Sequence, residues 1–461
     1  MLKLNRKRTF LIGFAFFGIL LLWQVYDSWC PTLLTEIIKT KMGVESELEI
    51  QWIVGIIMAC DNLAALILLP IFGSLSDKTK TPIGKRMPYI LIGTFVSAIA
   101  FPFIPLFFHL NKIGGMVTMM AIVLVFMMMY RNPAVALMPD ITPKPLRAKA
   151  NGIINIMGYL GGAFATVLGM VFVLSGYIKG EKNLLVIELP FVIASILMVI
   201  SALVLFFTVK ENKLEEELKD EMEEGERLAA IADPVDDDKP MSKANKVMLL
   251  SILAAEFLWF MSDNALGTYL NNFVIYALDS ASSKTSSLII FGGAASVVGF
   301  ATAGYIADKI GRKWTISIGL MLTLIGLIIM CFVKKSAATY TDSTGTVYNV
   351  FPSLLLVVWI IKGYGMALVH NCSFPMVVEL CSSKNIGKFT GYYYAASMSA
   401  QTVTPVLLGF ILKAHGAWSI LPKYAATLTC LSLLVFTLLV KNIKAHKVEN
   451  AKGLDAIGDN D

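Results

Sequence analysis

Charge is scarce in this chain. Of its 461 residues only 16% are Asp, Glu, Lys or Arg, while 56% are hydrophobic, against about 25% and 45–50% in soluble domains. A water-soluble fold of this length could not cover the apolar surface left after its core was filled, and a mean hydropathy of +0.69 agrees. The six cysteines (Cys30, Cys60, Cys331, Cys372, Cys381 and Cys430) fall singly. No C-x-x-C or Cys/His spacing suggests zinc or redox chemistry, so no metal is expected. There is also no Gly-rich nucleotide loop, no Ser/His/Asp set at a catalytic spacing and no soluble catalytic domain, which argues against an enzyme. The small basic excess, net +6, does not imply nucleic acid, because basic residues of membrane proteins gather on cytoplasmic loops.

What is present is a series of long apolar runs. A bilayer core of about 30 Å needs about 20 apolar residues per helix. Twelve runs meet that length, near 9–37, 50–75, 88–109, 115–138, 151–176, 188–209, 246–277, 286–307, 313–333, 351–380, 387–412 and 421–441. Lys3, Arg6, Lys7 and Arg8 before the first run resemble a signal peptide, but the run continues past Trp23 without a small-x-small cleavage site. It reads as an uncleaved first span.

The one long polar stretch, 210–245, opens on an acidic run that could form an amphipathic surface helix and ends on Asp236, Asp237, Asp238 and Pro240, the composition of a flexible link. It divides the chain into a first six-span unit (1–209), the acidic link (210–245), a second six-span unit (246–445) and a tail (446–461). One set of short loops carries Lys78, Lys80, Lys85, Arg86, Lys144, Arg147, Lys309, Arg312 and Lys313, and the opposite set is poorer. By the positive-inside rule both termini and the link are cytoplasmic. A multi-pass protein of the plasma membrane, acting as a monomer, is the expectation.

The two units repeat one another. Leu22-Trp23-x-x-x-Asp27 in the first span answers to Leu258-Trp259-x-x-x-Asp263 in the seventh, and Gly73-x-x-x-Asp77 to Gly304-x-x-x-Asp308. Arg131-Asn132 followed by Asp140 answers to His370-Asn371 followed by Glu379, and Asn151-Gly152 to Thr390-Gly391. Four matches in constant order argue for a duplicated unit, and two six-helix halves form a transporter architecture. The fold class is therefore an all-α polytopic membrane protein, twelve transmembrane helices in two pseudo-symmetric six-helix bundles.

A family resemblance rests on these residues. Gly304-Tyr-Ile-Ala-Asp308-Lys-Ile-Gly311-Arg312-Lys313 resembles the G-x-x-x-D-[RK]-x-G-[RK]-[RK] loop of the major facilitator superfamily. The expanded first copy, Gly73-Ser-Leu-Ser-Asp77 through Gly84-Lys85-Arg86-Met-Pro88, is similar to that of its sugar–cation symporter branches, which include plant-type sucrose–proton symporters and melibiose permease. The resemblance implies a major facilitator fold and cytoplasmic gates. Asp77 and Arg86, Asp140 with Arg147, and Asp308, Arg312, Lys313 and Glu379 stand where a carboxylate can pair with a guanidinium or cap a helix N-terminus. Such contacts would close that side and break when it opens.

Charges inside spans are expensive in hydrocarbon and usually face a cavity. At about 1.5 Å of rise per residue, Arg131 lies about 13 Å above Asp140, near mid-membrane. Asn132, His370, Asn371 and Glu256 share that depth, with Asp27, Asp61, Asp263 and Lys362 further towards the outer mouth. Arg131, Asn132, Asn371 and Gln401 suit vicinal hydroxyls, and Trp23 and Trp259 offer faces for C–H patches of a sugar. Proton symport needs an embedded carboxylate whose protonation follows the open side; Asp27, Glu256 and Asp263 are candidates, with Arg131 as partner. Sodium is disfavoured, since Leu69 stands before Pro70 where melibiose-permease-like proteins carry closely spaced aspartates. Plant sucrose symporters carry an arginine where this chain has Val135, one turn from Arg131. The expectation is a secondary transporter of a sugar or glycoside driven by protons, without cofactor. The alternative left open is an exporter or antiporter of drugs or other metabolites, since fold alone does not fix substrate.

Overall fold

The computed structural model describes residues 2–180, 185–232, 243–378, 380 and 386–441; Glu379, the 233–242 end of the acidic link and the 446–461 tail lie outside them. Backbone polar groups in hydrocarbon must bond within their own segment, so spans are helices. Twelve helices among the described residues are long and apolar enough to cross a bilayer. They are α1 (Arg6–Met42), α2 (Gln51–Lys78), α3 (Met87–Ala100, resumed over Phe103–His109), α4 (Ile113–Asp140), α5 (Arg147–Val171) and α6 (Leu185–Thr208) in the first half. The second half holds α7 (Lys243–Asn272), α8 (Ser283–Ile310), α9 (Arg312–Cys331), α10 (Leu354–Val378), α11 (Ile386–His415) and α12 (Ile420–Leu439). Large apolar side chains stay exposed on them, Ile99, Ile196, Phe207, Val297 and Leu438 among them, where lipid would cover them.

Packing repeats as the sequence does. In the first half α1 lies on α5 and α6, α4 on α2 and α3, and α3 on α6; in the second α7 lies on α11 and α12, α10 on α8 and α9, and α9 on α12. Each pair recurs six helices later. Between the halves, α2 packs on α11, α5 on α8, and α1 on α7.

The acidic link is less of a free tether than its composition suggests. It forms helices Glu211–Glu217 and Lys219–Ala232, both against the first half. Gly225 leaves room for Pro143, and Lys144 pairs with Glu226 at 3.6 Å. Between α9 and α10 a small hairpin, β1 (Thr339–Thr341) with β2 (Val347–Asn349), sits at the opposite end of the bundle, with Tyr340 across from Tyr348. The end where α1 begins and the link docks is hereafter the link end, and the hairpin marks the far end.

The halves meet at the far end. A Cβ on Gly55 of α2 would strike the Pro405 carbonyl of α11, and one on Gly409 would come within 2.6 Å of the Gln51 carbonyl. At the link end the motif glycines Gly152, Gly304 and Gly391 would meet nothing. Among the described residues the halves are in close contact at the far end and not at these link-end glycines. Gly55→Leu should pry the far end apart. An overpacking cost of about 1–3 kcal/mol corresponds to a shift of about 5–150-fold. Alkylation of a Ser28→Cys variant by an impermeant maleimide added at the far side should rise accordingly, and unchanged labelling would refute the wedge.

Candidate functional site

Asp27 is exposed halfway along α1, a helix covered by neighbours. A carboxylate there faces water in the cavity rather than lipid. It makes no hydrogen bond or ion pair among the described residues, and its charge is felt by Asp61 on α2. Asp61 is buried and accepts from its own neighbour Asn62, at 2.5 Å from the backbone N–H and 2.8 Å from Nδ2. Tyr26, next to Asp27 in sequence and fully buried, has a hydroxyl without a partner. The first half thus brings two carboxyls together with no cation against them.

The second half is built otherwise. Lys362 of α10 donates to Asp263 Oδ1 of α7 at 2.5 Å, and its ammonium lies 5.6 Å from the Trp359 ring centroid. His370, two turns along α10, is within electrostatic reach of both charges and packs 5.4 Å from the Phe260 ring. Arg131 was expected to partner the embedded carboxylates, and this is corrected. Asp263 is taken by Lys362, and Arg131 has only the Tyr394 phenol of α11 within electrostatic reach.

Further corrections concern the lining. Trp259 is only 1% exposed, packed with Phe260 and Phe436, and offers no face to a ligand. Glu256 is 0% exposed and lies in the apolar core of the second half rather than on the cavity. Asn132 donates to the Leu69 carbonyl at 2.5 Å, tying α4 to α2 beside Pro70. Trp23 is half-buried and set edge-on to Tyr26 at 5.6 Å. Asn371 and Gln401 are half-buried. Asp27, Asn371 and Gln401 each stand four residues before a helical proline, Pro31, Pro375 and Pro405. Proline has no N–H, so at all three the carbonyl receives no i+4 bond.

At the link end Arg86, at the start of α3, gathers the first copy of the loop motif. It pairs with Asp77, donates to Asp140 Oδ2 at 2.8 Å and to Ser76 Oγ at 2.5 Å. A residue missed from sequence completes the cluster. Glu211 of the link is 1% exposed and accepts from the backbone N–H of Arg86 at 3.0 Å and of Met87 at 3.2 Å, capping α3. Gly84 has φ +116°, and a Cβ there would strike the Glu211 carboxylate. Burial pushes the Glu211 carboxyl up, against the lowering effect of those amides. Arg147 is near Asp140 but donates to the carbonyls of Pro139 at 2.9 Å and Thr142 at 3.1 Å. The cluster lies within the first half and the link, and among the described residues none of these bonds crosses to the second half. In the second copy Asp308 is exposed and has no ion-pair partner among the described residues. Arg312 and Lys313 open α9, with Lys313 5.4 Å from the Trp314 ring, and Glu379 is outside the described residues.

The far end is shut by polar bonds between halves. Asn272 bridges α7 to α1, accepting from Thr32 Oγ1 at 2.7 Å and donating to Thr35 at 3.1 Å. Tyr276 donates to Glu36 at 2.6 Å, Trp418 to Glu47 at 2.9 Å, and Tyr269 to the Gln51 carbonyl at 3.3 Å. Ser175 and Ser282 exchange backbone-to-hydroxyl bonds at 3.2 and 2.9 Å. Beyond them Lys179 of the first half reaches Asp279 at 2.5 Å and the Val347 carbonyl of β2 at 2.8 Å, with its ammonium 4.6 Å from the Tyr348 ring. Lys335 holds the other Asp279 oxygen at 3.0 Å.

Two outcomes follow from these pairs. Burial alone would raise the Asp279 carboxyl, but hydrogen bonds from Lys179 and Lys335 hold it below the ordinary carboxylate range. Its folded value is depressed, so the clasp is fully present above about pH 4 and is lost as pH falls through the folded value. Far-side labelling of Ser28→Cys, divided at each pH by the rate of a free thiol because only the thiolate reacts, should therefore be flat from pH 8 to about 5, whereas Asp279→Asn should raise it throughout. In the core of the second half, Lys362→Met alone should lower Tm by leaving Asp263 unpaired, and adding Asp263→Asn should restore most of it. Equal losses in single and double variants would show that the pair does not couple.

The chain matches the model of the Major Facilitator Superfamily over residues 30–302 and again over 252–457. No curated protein sequence is similar enough to count as a relative. Among solved structures it is similar to the xylose transporter XylE from E. coli in an inward open conformation, at 16% identity and TM-score 0.65, covering 97% of this chain and 98% of that one. It is also similar to a POT family transporter in complex with 5-aminolevulinic acid, at 12% identity and TM-score 0.66, covering 94% and 95%. A point mutant of the nucleoside transporter NupG aligns at 14% identity and TM-score 0.62 over 94% of this chain and 100% of its own. Two bundles of six helices, packed alike and matched by the family model in both halves, make this chain a member of the major facilitator superfamily and a membrane transport protein rather than an enzyme.

Proposed function

We propose that the chain is a proton-coupled symporter of a sugar or glycoside, working by alternating access in the plasma membrane. The observation that carries the coupling is the pair Asp27 and Asp61, two neighbouring carboxyls at the cavity with no cation against them. Two carboxyls within electrostatic reach of one another resist being ionised together, so one of them can hold a proton, and a cavity open at one end would give it to one side at a time. Sodium is the less favoured ion, since Leu69 stands before Pro70 where melibiose-permease-like proteins carry closely spaced aspartates. The sugar class is supported by the expanded loop around Asp77 and Arg86, and by a lining of Arg131, Asn371, Gln401 and freed carbonyls. Transporters named for xylose, nucleosides and peptides share the fold, so the fold does not choose the substrate. The basic residues of the link end, Lys85, Arg86, Lys144, Arg147 and Lys309 among them, favour that end as cytoplasmic. The protein then acts as a monomer with its substrate and lipid as partners.

Reconstituted in proteoliposomes under an imposed pH gradient, the protein should accumulate at least one labelled mono- or disaccharide. Asp27→Asn should abolish uphill accumulation. No gradient-driven uptake of any sugar in a broad panel would overturn the symport reading.

A further inference from the structure

The second half buries an acid that the cavity does not use. Glu256 of α7 is 0% exposed, and both its carboxyl oxygens lack a hydrogen-bond partner. Its surroundings leave nothing to hold an anion. From α12, Ser432 spends its hydroxyl on the Ala255 carbonyl at 2.8 Å, and Phe436 is apolar. The apolar cluster that holds its helix neighbours Ile252, Ala255 and Trp259 also takes in Ile316 and Leu320 of α9 and Cys372, Met376 and Val377 of α10. From α11 come Phe389 and Tyr393, whose phenol is within electrostatic reach of Glu256. The nearest charge on its own helix is Asp263, two turns away and committed to Lys362. Among the described residues no Lys, Arg or His hydrogen-bonds or ion-pairs with Glu256. A bare carboxylate in such a place costs several kcal/mol even after relaxation, whereas the acid form carries no charge to desolvate.

We propose that Glu256 is a proton-binding site of the second half, occupied while the link end is open, and that Tyr393 is its route to the cavity. This rests on the proton-coupled reading above. Tyr393 is the titratable neighbour that also touches the cavity wall. Its hydroxyl is 2.8 Å from Ser373 Oγ, and its ring lies 5.9 Å from that of Tyr394, which is exposed and within reach of Arg131. Release moves the proton from the Glu256 carboxyl oxygen to water arriving beside Tyr393 and leaves a carboxylate, which requires the helices to part. Proton release and closure of the link end then become one event. The pseudo-symmetric mate of Glu256 is Leu20, so the site exists in one half only.

Infrared spectroscopy of the purified full chain tests this without any substrate. At neutral pH the wild type should show a protonated-carboxyl C=O band, shifted in D2O and lost in Glu256→Gln. Tyr393→Phe should keep the band and slow its shift in D2O. Absence of the band, or a band that never exchanges with D2O, overturns the proposal. Where the wild type accumulates a sugar, Glu256→Gln should also lose the accumulation driven by a pH gradient, and wild-type accumulation in that variant would overturn the coupling role. If no sugar is accumulated, the substrate reading fails alone and the infrared result still decides the proton site.

Discussion

Backbone meeting backbone at the far end sets the conformation of this protein. Gly55 faces the Pro405 carbonyl and Gly409 faces the Gln51 carbonyl. Neither approach leaves room for a methyl group, so the halves come together there to within main-chain contact. In lipid there is little hydrophobic gain from bringing helices together, and close packing with interhelical hydrogen bonds takes its place. The bonds of Tyr269 to the Gln51 carbonyl, of Asn272 and of Tyr276 use that closeness. Because the halves are stiff bundles, shutting one end parts the other, and the motif glycines at the link end are left facing empty space.

Duplication gives the scaffold, and the site lies where the copies disagree. Asp27 and Asp263 are equivalent by position, yet only Asp263 has a counter-ion. The offset of 239 residues that relates Arg131 to His370 relates Lys362 to Val123, which is fully buried and apolar. The same helix position thus carries a cation in one half and none in the other. Asp27 and Asp61 stand within electrostatic reach of one another without a counter-ion among the described residues, while Asp263 is neutralised in place.

Helix number, order and the two-half division were legible in the sequence because lipid imposes one rule on every span, a run of apolar residues of fixed length. The first copy of the gate was legible too, since Asp77, Arg86 and Asp140 are charges at helix ends and converge as expected. Partner choice inside the membrane was not. Which helix face turns to the cavity is set by packing, and the spans are apolar all round, so nothing along the sequence separates Asp27, on the cavity, from Glu256, in a core. Trp259 was misread for the same reason. Glu211 was hidden among the acids that follow it, although Gly84, at a positive φ opposite its carboxylate, is a trace of the contact. The far-end asparagines at 271 and 272 were visible as a polar pair closing a span, but only the fold says they face α1.

The clasp of Lys179, Asp279 and Lys335 has a consequence of another kind. Unlike the Thr32–Asn272 and Ser175–Ser282 bonds deeper at the far end, it is ionic and partly exposed, with 34% of the Asp279 side chain accessible. Surface ion pairs weaken as salt shortens the screening length, about 8 Å at physiological ionic strength and about 3 Å at 1 M. The solution bathing the far end therefore acts on the balance between the two open forms through its ionic strength alone, so dilute surroundings hold the transporter shut on that side and saline ones loosen it.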